Sequence, residues 1–279
     1  MNFGLTEEQQ ILRNVARRFL DERAPMSMVR NIMETPEAFD GQLWSEMADL
    51  GWLGLAIHEA YGGTGLGWVD LAVLLEETGR GLLPAPLIST SLAAAAISGF
   101  GSDEQKRRYL PSLADGTAIG TLAILEDSDT IGPDGVALTG TPVGAGHRLT
   151  GAKRFVHDAG AATLFIVAFR IGGDIAFGIV TSGTEGASAR SYPMMDQTKR
   201  MGDLTLNDLL VTPDNVLSAA VWARHDNGAW YAPQDQDVIA RLLDPFHRLG
   251  VTPACAQVVN RVCFTHLLAR VTGQHHQKR

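Results

Sequence analysis

The feature that most constrains this chain is a change of period near residue 118. Before it, apolar side chains recur every three to four positions, the spacing of one helix face; over 117–217 they gather instead into short runs rich in Val, Ile, Thr and Phe, bounded by Gly, Asp and Pro. Helices and strands bury side chains at different periods, so a chain that switches must build two kinds of layer. Helical spacing returns after residue 219, in Val238, Leu242, Leu243 and Phe246 and then in Val258, Val259, Val262 and Leu267. The expected class is an α+β multidomain protein. It has an N-terminal α-helical domain over 1–118, a middle antiparallel β-barrel or sandwich domain over 119–218, and a partial C-terminal α-helical domain over 219–279.

Within the first part, Thr6 and Gln9 form a capping box, and Ile11, Leu12, Val15 and Phe19 mark a first amphipathic helix to about Glu22. Leu43, Trp44, Met47 and Leu50 give a second apolar face ended by Gly51, and Gly62, Gly63, Gly65 and Gly67 mark a turn. Asp70 is the expected cap of the next helix, which runs through Leu71, Leu74, Leu75 and Thr78 to Gly79. Pro84 and Pro86 break the chain before an Ala-rich helix over about 89–98. The stretch 100–116, FGSDEQKRRYLPSLADG, then reads as a short helix capped by Ser102 or Asp103, with Lys106, Arg107 and Arg108 toward its C-terminal end and Pro111 closing it. Expected strands cover 121–125, 147–149 with the turn that follows, 164–169, 177–180 and 204–211.

Composition excludes several functions. A formal net charge of -8 argues against a nucleic-acid binder, which needs a basic stripe to replace phosphate counterions. Cys255 and Cys263 are the only cysteines and no Cys/His ligand spacing occurs, so no metal site is expected. The start MNFGLTEEQQ has no basic segment followed by an apolar core, and apolar runs such as 91–97 are too short to span a bilayer. The expected location is cytoplasmic, with no membrane partner.

Several phrases resemble the acyl-CoA dehydrogenase family in the family's order. These are LTEEQQILRNVARRFL at 5–20, LGWLGLAIHEAYGGTGLG at 50–67, the 100–116 stretch, GHRLTGAKRFVHDAG at 146–160 and VTPDNVL at 211–217. The stretch Met195, Asp196, Gln197, Thr198, Lys199, Arg200 resembles the version found in heteromeric acyl-CoA dehydrogenases of actinobacterial sterol breakdown, although each residue reads singly as part of a charged surface turn. The resemblance implies a β-domain between two helical domains, FAD as cofactor, an acyl-CoA thioester as substrate, and a homo- or hetero-oligomer. The implied reaction is α,β-dehydrogenation, in which a base takes the α-proton, donors stabilise charge on the thioester carbonyl and flavin N5 accepts the hydride.

Carried over residue by residue, the resemblance assigns flavin contacts to Leu122, Ile124 and Leu125, where Leu125 stands in place of a threonine, and to Phe155, Val156 and His157. Phe155 can stack on the ring, and His157 takes a position the family gives to a hydroxyl. Read without the family, Leu122 and Ile124 are equally inward positions of a strand, and His157 is a locally bonded histidine. Ser128 and Asp129 fall where the family touches the pantetheine of the thioester. Lys106, Arg107 and Arg108 read as a solvated helix face, one of which could meet the 3'-phosphate of CoA.

Residues 219–279 contain neither the family's Arg-x-Gln-Phe-Gly signature nor any glutamate, since the last Glu is Glu185. Asp235, Asp237 and Asp244 read as helix caps rather than as a base, so no catalytic residue is assigned. Two readings follow: an FAD-dependent dehydrogenase, or a non-catalytic partner subunit that completes another subunit's flavin or acyl-CoA pocket. An apolar helix face without its partners favours association with another chain.

Overall fold

A computed structural model describes residues 4–217, apart from 129, 131 and 132, together with two short segments at 223–224 and 230–231. The helical part contains α1 (Glu7–Arg23), α2 (Met26–Met33), α3 (Gly41–Asp49), α4 (Trp68–Arg80), α5 (Leu87–Phe100) and α6 (Asp103–Ala114). Thr6 caps α1 through the capping box with Gln9, as its sequence predicts, and Ser102 with Gln105 does the same for α6. Helix α1 lies against α4. There Ala16, Leu20, Leu71 and Leu74 are buried, and Arg17 grips the carboxylate of buried Glu77 through Nη2 at 2.6 Å and Nε at 3.0 Å. Arg80 reaches the same carboxylate at 2.8 Å.

Four local features differ from the expectation. Helix α4 starts at Trp68 with Gly67 as its cap, and Asp70 serves from the third position by accepting the Gly67 N–H at 2.8 Å. Pro111 lies inside α6 instead of closing it, because Leu110, Leu113 and Ala114 are all buried and hold the last turn in place. The helix stops just before Gly116, whose φ of 77° is left-handed. Lys106, Arg107 and Arg108 are therefore mid-helix, where the helix dipole gives them little. Helix α2 was not legible: it is short, follows Pro25, and owes its place to the burial of Val29 and Ile32.

The strands are β1 (Gly120–Ala123), β2 (Gly140–Val143), β3 (Gly146–His157), β4 (Leu164–Ile171), β5 (Asp174–Thr181), β6 (Ala187–Tyr192) and β7 (Met201–Val211). They form a three-stranded sheet in the order β1-β4-β5 and a four-stranded sheet in the order β2-β3-β7-β6. The pairing is antiparallel, as expected, except that β1 joins β4 in parallel. That one pair is parallel because a long excursion through β2 and β3 separates its strands.

Strand β4 reads LFIVAFRI without alternation because it is buried on both faces. Phe165, Val167 and Phe169 share a core with Leu149, Val156, Leu204 and Leu206 of the other sheet, while Leu164, Ile166 and Ala168 pack with Ala93, Ile97, Leu110 and Leu113 of α5 and α6. The order of layers is thus helix, sheet, sheet. Close approach of α5 to β1 requires small residues: a Cβ at Gly120 would lie 2.6 Å from that of Ala93.

The two parts are joined by buried hydrogen bonds. Arg200, just before β7, donates to the carbonyls of Met33 (2.6 Å), Thr35 (2.8 Å) and Pro36 (3.0 Å) at and beyond the end of α2, and to those of Gln197 (2.7 Å) and Lys199 (2.9 Å). Lys199 donates to Leu83 O at 3.0 Å and Ala85 O at 3.3 Å. Both residues had read as the end of a charged surface turn. The turn is real at its other end, where Met195 is fully exposed, but its two cations point inward. On the far side Gln105 of α6 donates to Asp214 O and Val216 O, each at 2.8 Å, and Tyr109 donates to Asn215 Oδ1 at 2.7 Å.

Most of the expected C-terminal helical region, including Asp235, Asp237 and Asp244, lies outside the described residues. Its described parts are two-residue strands, β8 (Ala223–Arg224) and β9 (Trp230–Tyr231), paired antiparallel.

Replacing Arg200 with methionine strands several buried carbonyls. Urea unfolding should show a loss of about 3 kcal/mol or more, and a loss below about 0.5 kcal/mol would refute the clamp. Glu77 gives a pH signature. The hydrogen bond from Arg17 outweighs burial, which raises the pKa, and holds it below the ordinary 4.5, so its contribution is complete above that value and is lost as pH falls through the folded-state pKa. Glu77→Gln should flatten the fall in stability below pH 4.5, measured as urea midpoints across the acid range.

Candidate functional site

The two segments that carry the sequence assignments, 122–128 and 153–157, come together although about thirty residues separate them. Arg154 N donates to Leu125 O at 2.8 Å, the Thr121 hydroxyl donates to His157 O at 2.7 Å, and Lys153 Nζ donates to Ile124 O at 3.1 Å. These bonds continue β1 past its paired residues and lay it along the end of β3.

Lys153 is fully buried, with Nζ 2.6 Å from Glu126 Oε1. Glu126 in turn accepts the backbone N–H groups of Ala137 and Leu138 at 3.0 to 3.1 Å, pinning the chain on its way to β2. Burial depresses the Lys153 pKa, and Glu126 opposes that effect. A buried ion pair of this kind owes its place to the bonds around it, because desolvation offsets most of the attraction between the charges.

Immediately after Lys153 the β3–β7 register slips by one residue: Lys153 faces Leu204, and Val156 faces Gly202. The bulge puts Phe155 at φ 53°, left-handed for a bulky aromatic side chain, and leaves it 53% exposed. Asp158 is left-handed as well, at φ 52°. Strain of this type costs about 1–3 kcal/mol per residue and persists only where the surroundings impose it. Here those surroundings are the Val156 side chain sunk in the sandwich core, the Arg154 side chain held by Asp127 (2.7 Å) and Asp203 (2.8 Å), and Asp158 N bonded to Arg200 O at 2.9 Å.

The assigned residues differ in what they present. Leu122 and Ile124 are half-buried and pack on the cluster of α5 and α6, so the inward-strand reading describes much of their surface. Leu125 is half-buried and Ser128 exposed, while Asp129 lies outside the described residues. Val156 offers only its backbone. His157 is half-buried at the seam with α5, beside Asp158, whose carboxylate accepts a hydrogen bond from Ser89 Oγ at 2.6 Å. The parts that sequence reasoning missed, Lys153, Glu126, Ser89, Asp158 and Lys199, are polar groups whose partners lie in other elements. Lys153 alone carries a sequence signal, a charge inside a strand segment. Lys106 is half-buried, whereas Arg107 and Arg108 are exposed on α6, with the Arg108 guanidinium 5.1 Å from the ring centre of Tyr109.

No group of His, Cys, Asp and Glu suited to a metal ion occurs among the described residues. A small cavity among Leu53, Ile57, Trp68, Leu71 and Ala94 has a volume of about 10 Å³, enough for one water and far too small for an acyl chain. The open seam around Phe155 is the candidate site.

A helical layer on a two-sheet domain is a fold shared with known proteins. Residues 6–117 match the family model described as the acyl-CoA dehydrogenase N-terminal domain. A probable acyl-CoA dehydrogenase of Bacillus subtilis (strain 168), YngJ, is 30% identical over 229 residues, covering 78% of this chain and 60% of the relative. A variant of the Tcur3481-Tcur3483 steroid ACAD is 33% identical with a TM-score of 0.69, covering 77% of this chain and 58% of that one. The ChsE4-ChsE5 complex from Mycobacterium tuberculosis is 26% identical with a TM-score of 0.71, covering 78% of this chain and 58% of that one. An acyl-CoA dehydrogenase complexed with FAD from Bacillus anthracis is 26% identical with a TM-score of 0.69, covering 77% of this chain and 38% of that one. Residues 6–117 are the N-terminal domain of the acyl-CoA dehydrogenase family, and the chain spans less than two thirds of the length of each of these relatives.

The Glu126–Lys153 pair is open to a direct test. Glu126→Gln removes the countercharge of a fully buried ammonium and should lower stability by about 3 kcal/mol. Glu126→Gln combined with Lys153→Met should recover part of that loss, read from urea unfolding of both variants; a double variant less stable than the single one would contradict the pairing.

Proposed function

We propose that this chain takes part in FAD-dependent α,β-dehydrogenation of an acyl-CoA thioester. The observation that carries the proposal is Phe155, an exposed aromatic held in a left-handed conformation by a bulge and by the bonds around it. Strain imposed from several sides on a residue that buries little of itself is the mark of a binding surface. The N-terminal family match and the relative solved with FAD support the same reading.

The seam fits one side of a planar ring. Phe155 offers an aromatic face, Ile124 and Leu125 a half-exposed apolar edge, and Val156 and His157 a backbone and an imidazole at the rim. When bound, FAD would supply the two-electron acceptor that carbon–carbon dehydrogenation needs. The chain's own part is to hold that ring still. Lys153 and Glu126 fix the backbone of 124–126, the bulge aims Phe155, and Leu125 leaves the contact without the hydroxyl that a threonine would bring. Leu122 backs this edge from the helix side, and Ser128 and Asp129 are the proposed pantetheine contacts. Domains meeting near residues 118 and 218 and a cytoplasmic location are parts of the same proposal; no helix among the described residues is long and apolar enough to cross a membrane.

A second reading keeps the site but moves the chemistry. With Leu125 in place of a hydroxyl and no base assigned in this chain, it would act as a partner subunit completing another chain's pocket. The ChsE4-ChsE5 relative, solved as a complex of two named proteins, favours retaining it.

Purified protein, alone and with candidate partner subunits, should take up FAD with its visible absorbance. FAD at about a hundred times its dissociation constant should add about 2.7 kcal/mol of stability. Phe155→Ala should weaken FAD binding about tenfold, near 1.4 kcal/mol, in a fluorescence titration. Neither absorbance nor stabilisation under any of these conditions would sink the flavin reading. Activity of a candidate catalytic partner that is the same with and without this chain would sink the second.

A further inference from the structure

We propose that Asp158 is a positioning residue of this site: anchored by its side chain to the first turn of α5, it holds Phe155, three residues earlier, in the conformation that meets the flavin ring. The inference rests on the flavin reading above and adds to it a residue that acts through Phe155 rather than on the ring itself.

Asp158 is bonded in three directions. Its N–H donates to Arg200 O at 2.9 Å, its carbonyl accepts the N–H groups of Ala161 (3.0 Å) and Ala162 (2.9 Å), and its carboxylate Oδ2 accepts the Ser89 hydroxyl at 2.6 Å. Ser89 is buried in the first turn of α5, and its hydroxyl also lies 3.0 Å from Pro86 O; the shorter contact is the one that crosses from the helix to the strand end. Helix α5 has a physical reason to hold this carboxylate. Its cap is Pro86, which supplies no side-chain acceptor, and its first turn contains no acidic residue. Asp158 brings negative charge from another layer to the positive end of the helix dipole. Lys199 fixes the approach to the same helix by donating to Leu83 O and Ala85 O.

Phe155 therefore lies between two anchors. Ahead of it, Lys153 is bonded to Glu126 Oε1 and Ile124 O. Behind it, Asp158 stands at φ 52°, a conformation that aspartate and asparagine adopt more readily than alanine because their short polar side chains can bond locally. Between the anchors the β3–β7 register passes from Lys153 directly to Val156, so ladder pairing alone does not fix Phe155. A left-handed aromatic in such a gap keeps its conformation only while the chain is held at both ends. Cutting the Asp158 anchor lets the strand end relax, and the loss falls on presentation of the Phe155 ring, which is half exposed, rather than on Val156 in the core.

The test is a double-variant cycle on FAD affinity, read by fluorescence titration of the full chain, with a candidate partner subunit present if the unaltered protein needs one to bind FAD. Asp158→Ala removes the carboxylate and strains a left-handed position, and should weaken FAD binding about tenfold. Ser89→Ala leaves the Asp158 backbone preference in place and should weaken it about threefold. Asp158→Asn keeps both an oxygen for the Ser89 hydroxyl and the left-handed preference, so it should bind FAD within about twofold of the unaltered protein. In a Phe155→Ala background the losses from Asp158→Ala and Ser89→Ala should vanish, because Asp158 acts through that ring; a general loosening of the fold would instead add to the effect of Phe155→Ala. Additive losses, or an FAD affinity that neither Asp158→Ala nor Ser89→Ala changes, would overturn the inference while leaving flavin binding intact. Should Asp158→Ala fail to fold, Ser89→Ala decides by the same cycle. Absence of FAD binding by the unaltered protein would instead overturn the flavin reading, and this role with it.

Discussion

Arg200 places a guanidinium among backbone carbonyls, with no carboxylate among its hydrogen-bond partners in the described residues. Three of its acceptors lie at and just beyond the end of α2 and two in the segment leading into β7, so a single side chain spans the joint between the helical part and the sandwich. Carbonyls at the C-terminal end of a helix carry partial negative charge and lack intrahelical partners, which makes them suitable acceptors for a buried cation. Arginine suits the place because its donors form a rigid fork that reaches several acceptors at once. Lys199, one residue before, adds two more carbonyls of the helical part. Arg200 O then accepts Asp158 N–H, so the clamp runs directly into the strained turn behind the candidate site.

The rest of the site follows from this rigidity. A left-handed Phe155 survives only because the residues on both sides have no freedom: Lys153 is locked to Glu126, and Val156 is sunk between the sheets. Sheet, bulge and ion pair together convert local strain into a presented aromatic face. The same bonds determine where Leu125 and His157 stand relative to one another, since Arg154 N–H holds Leu125 O and the Thr121 hydroxyl holds His157 O. Geometry at this seam is thus a property of the layered core beneath it.

Much of the architecture was legible in the sequence, for physical reasons that can be named. The capping boxes of Thr6 with Gln9 and Ser102 with Gln105 act within one turn, so local chemistry suffices to locate two helix starts. The unbroken apolar run of 164–169 announced a strand, though not that helices would cover one of its faces. Pro111 and Asp70 misled because each was weighed as a local signal, and burial of Leu110 and Leu113 in one case and the reach of a carboxylate back to Gly67 in the other outweighed it. Lys199 and Arg200 misled more deeply. Their charge reads as surface, and only carbonyls more than a hundred residues away show otherwise.

By itself the sequence determined the change from helical to strand parts, two helix starts, the family resemblance and the segments that meet at the site, because period, capping and short motifs are properties of neighbouring residues. Tertiary structure alone decided that β1 lies parallel to β4, that a bulge turns Phe155 outward, and that Glu126, Lys153, Ser89 and Asp158 form the polar framework behind it. Each of those depends on contacts between residues far apart in the chain, where register, desolvation and the satisfaction of buried polar groups are settled together and no local pattern records the outcome.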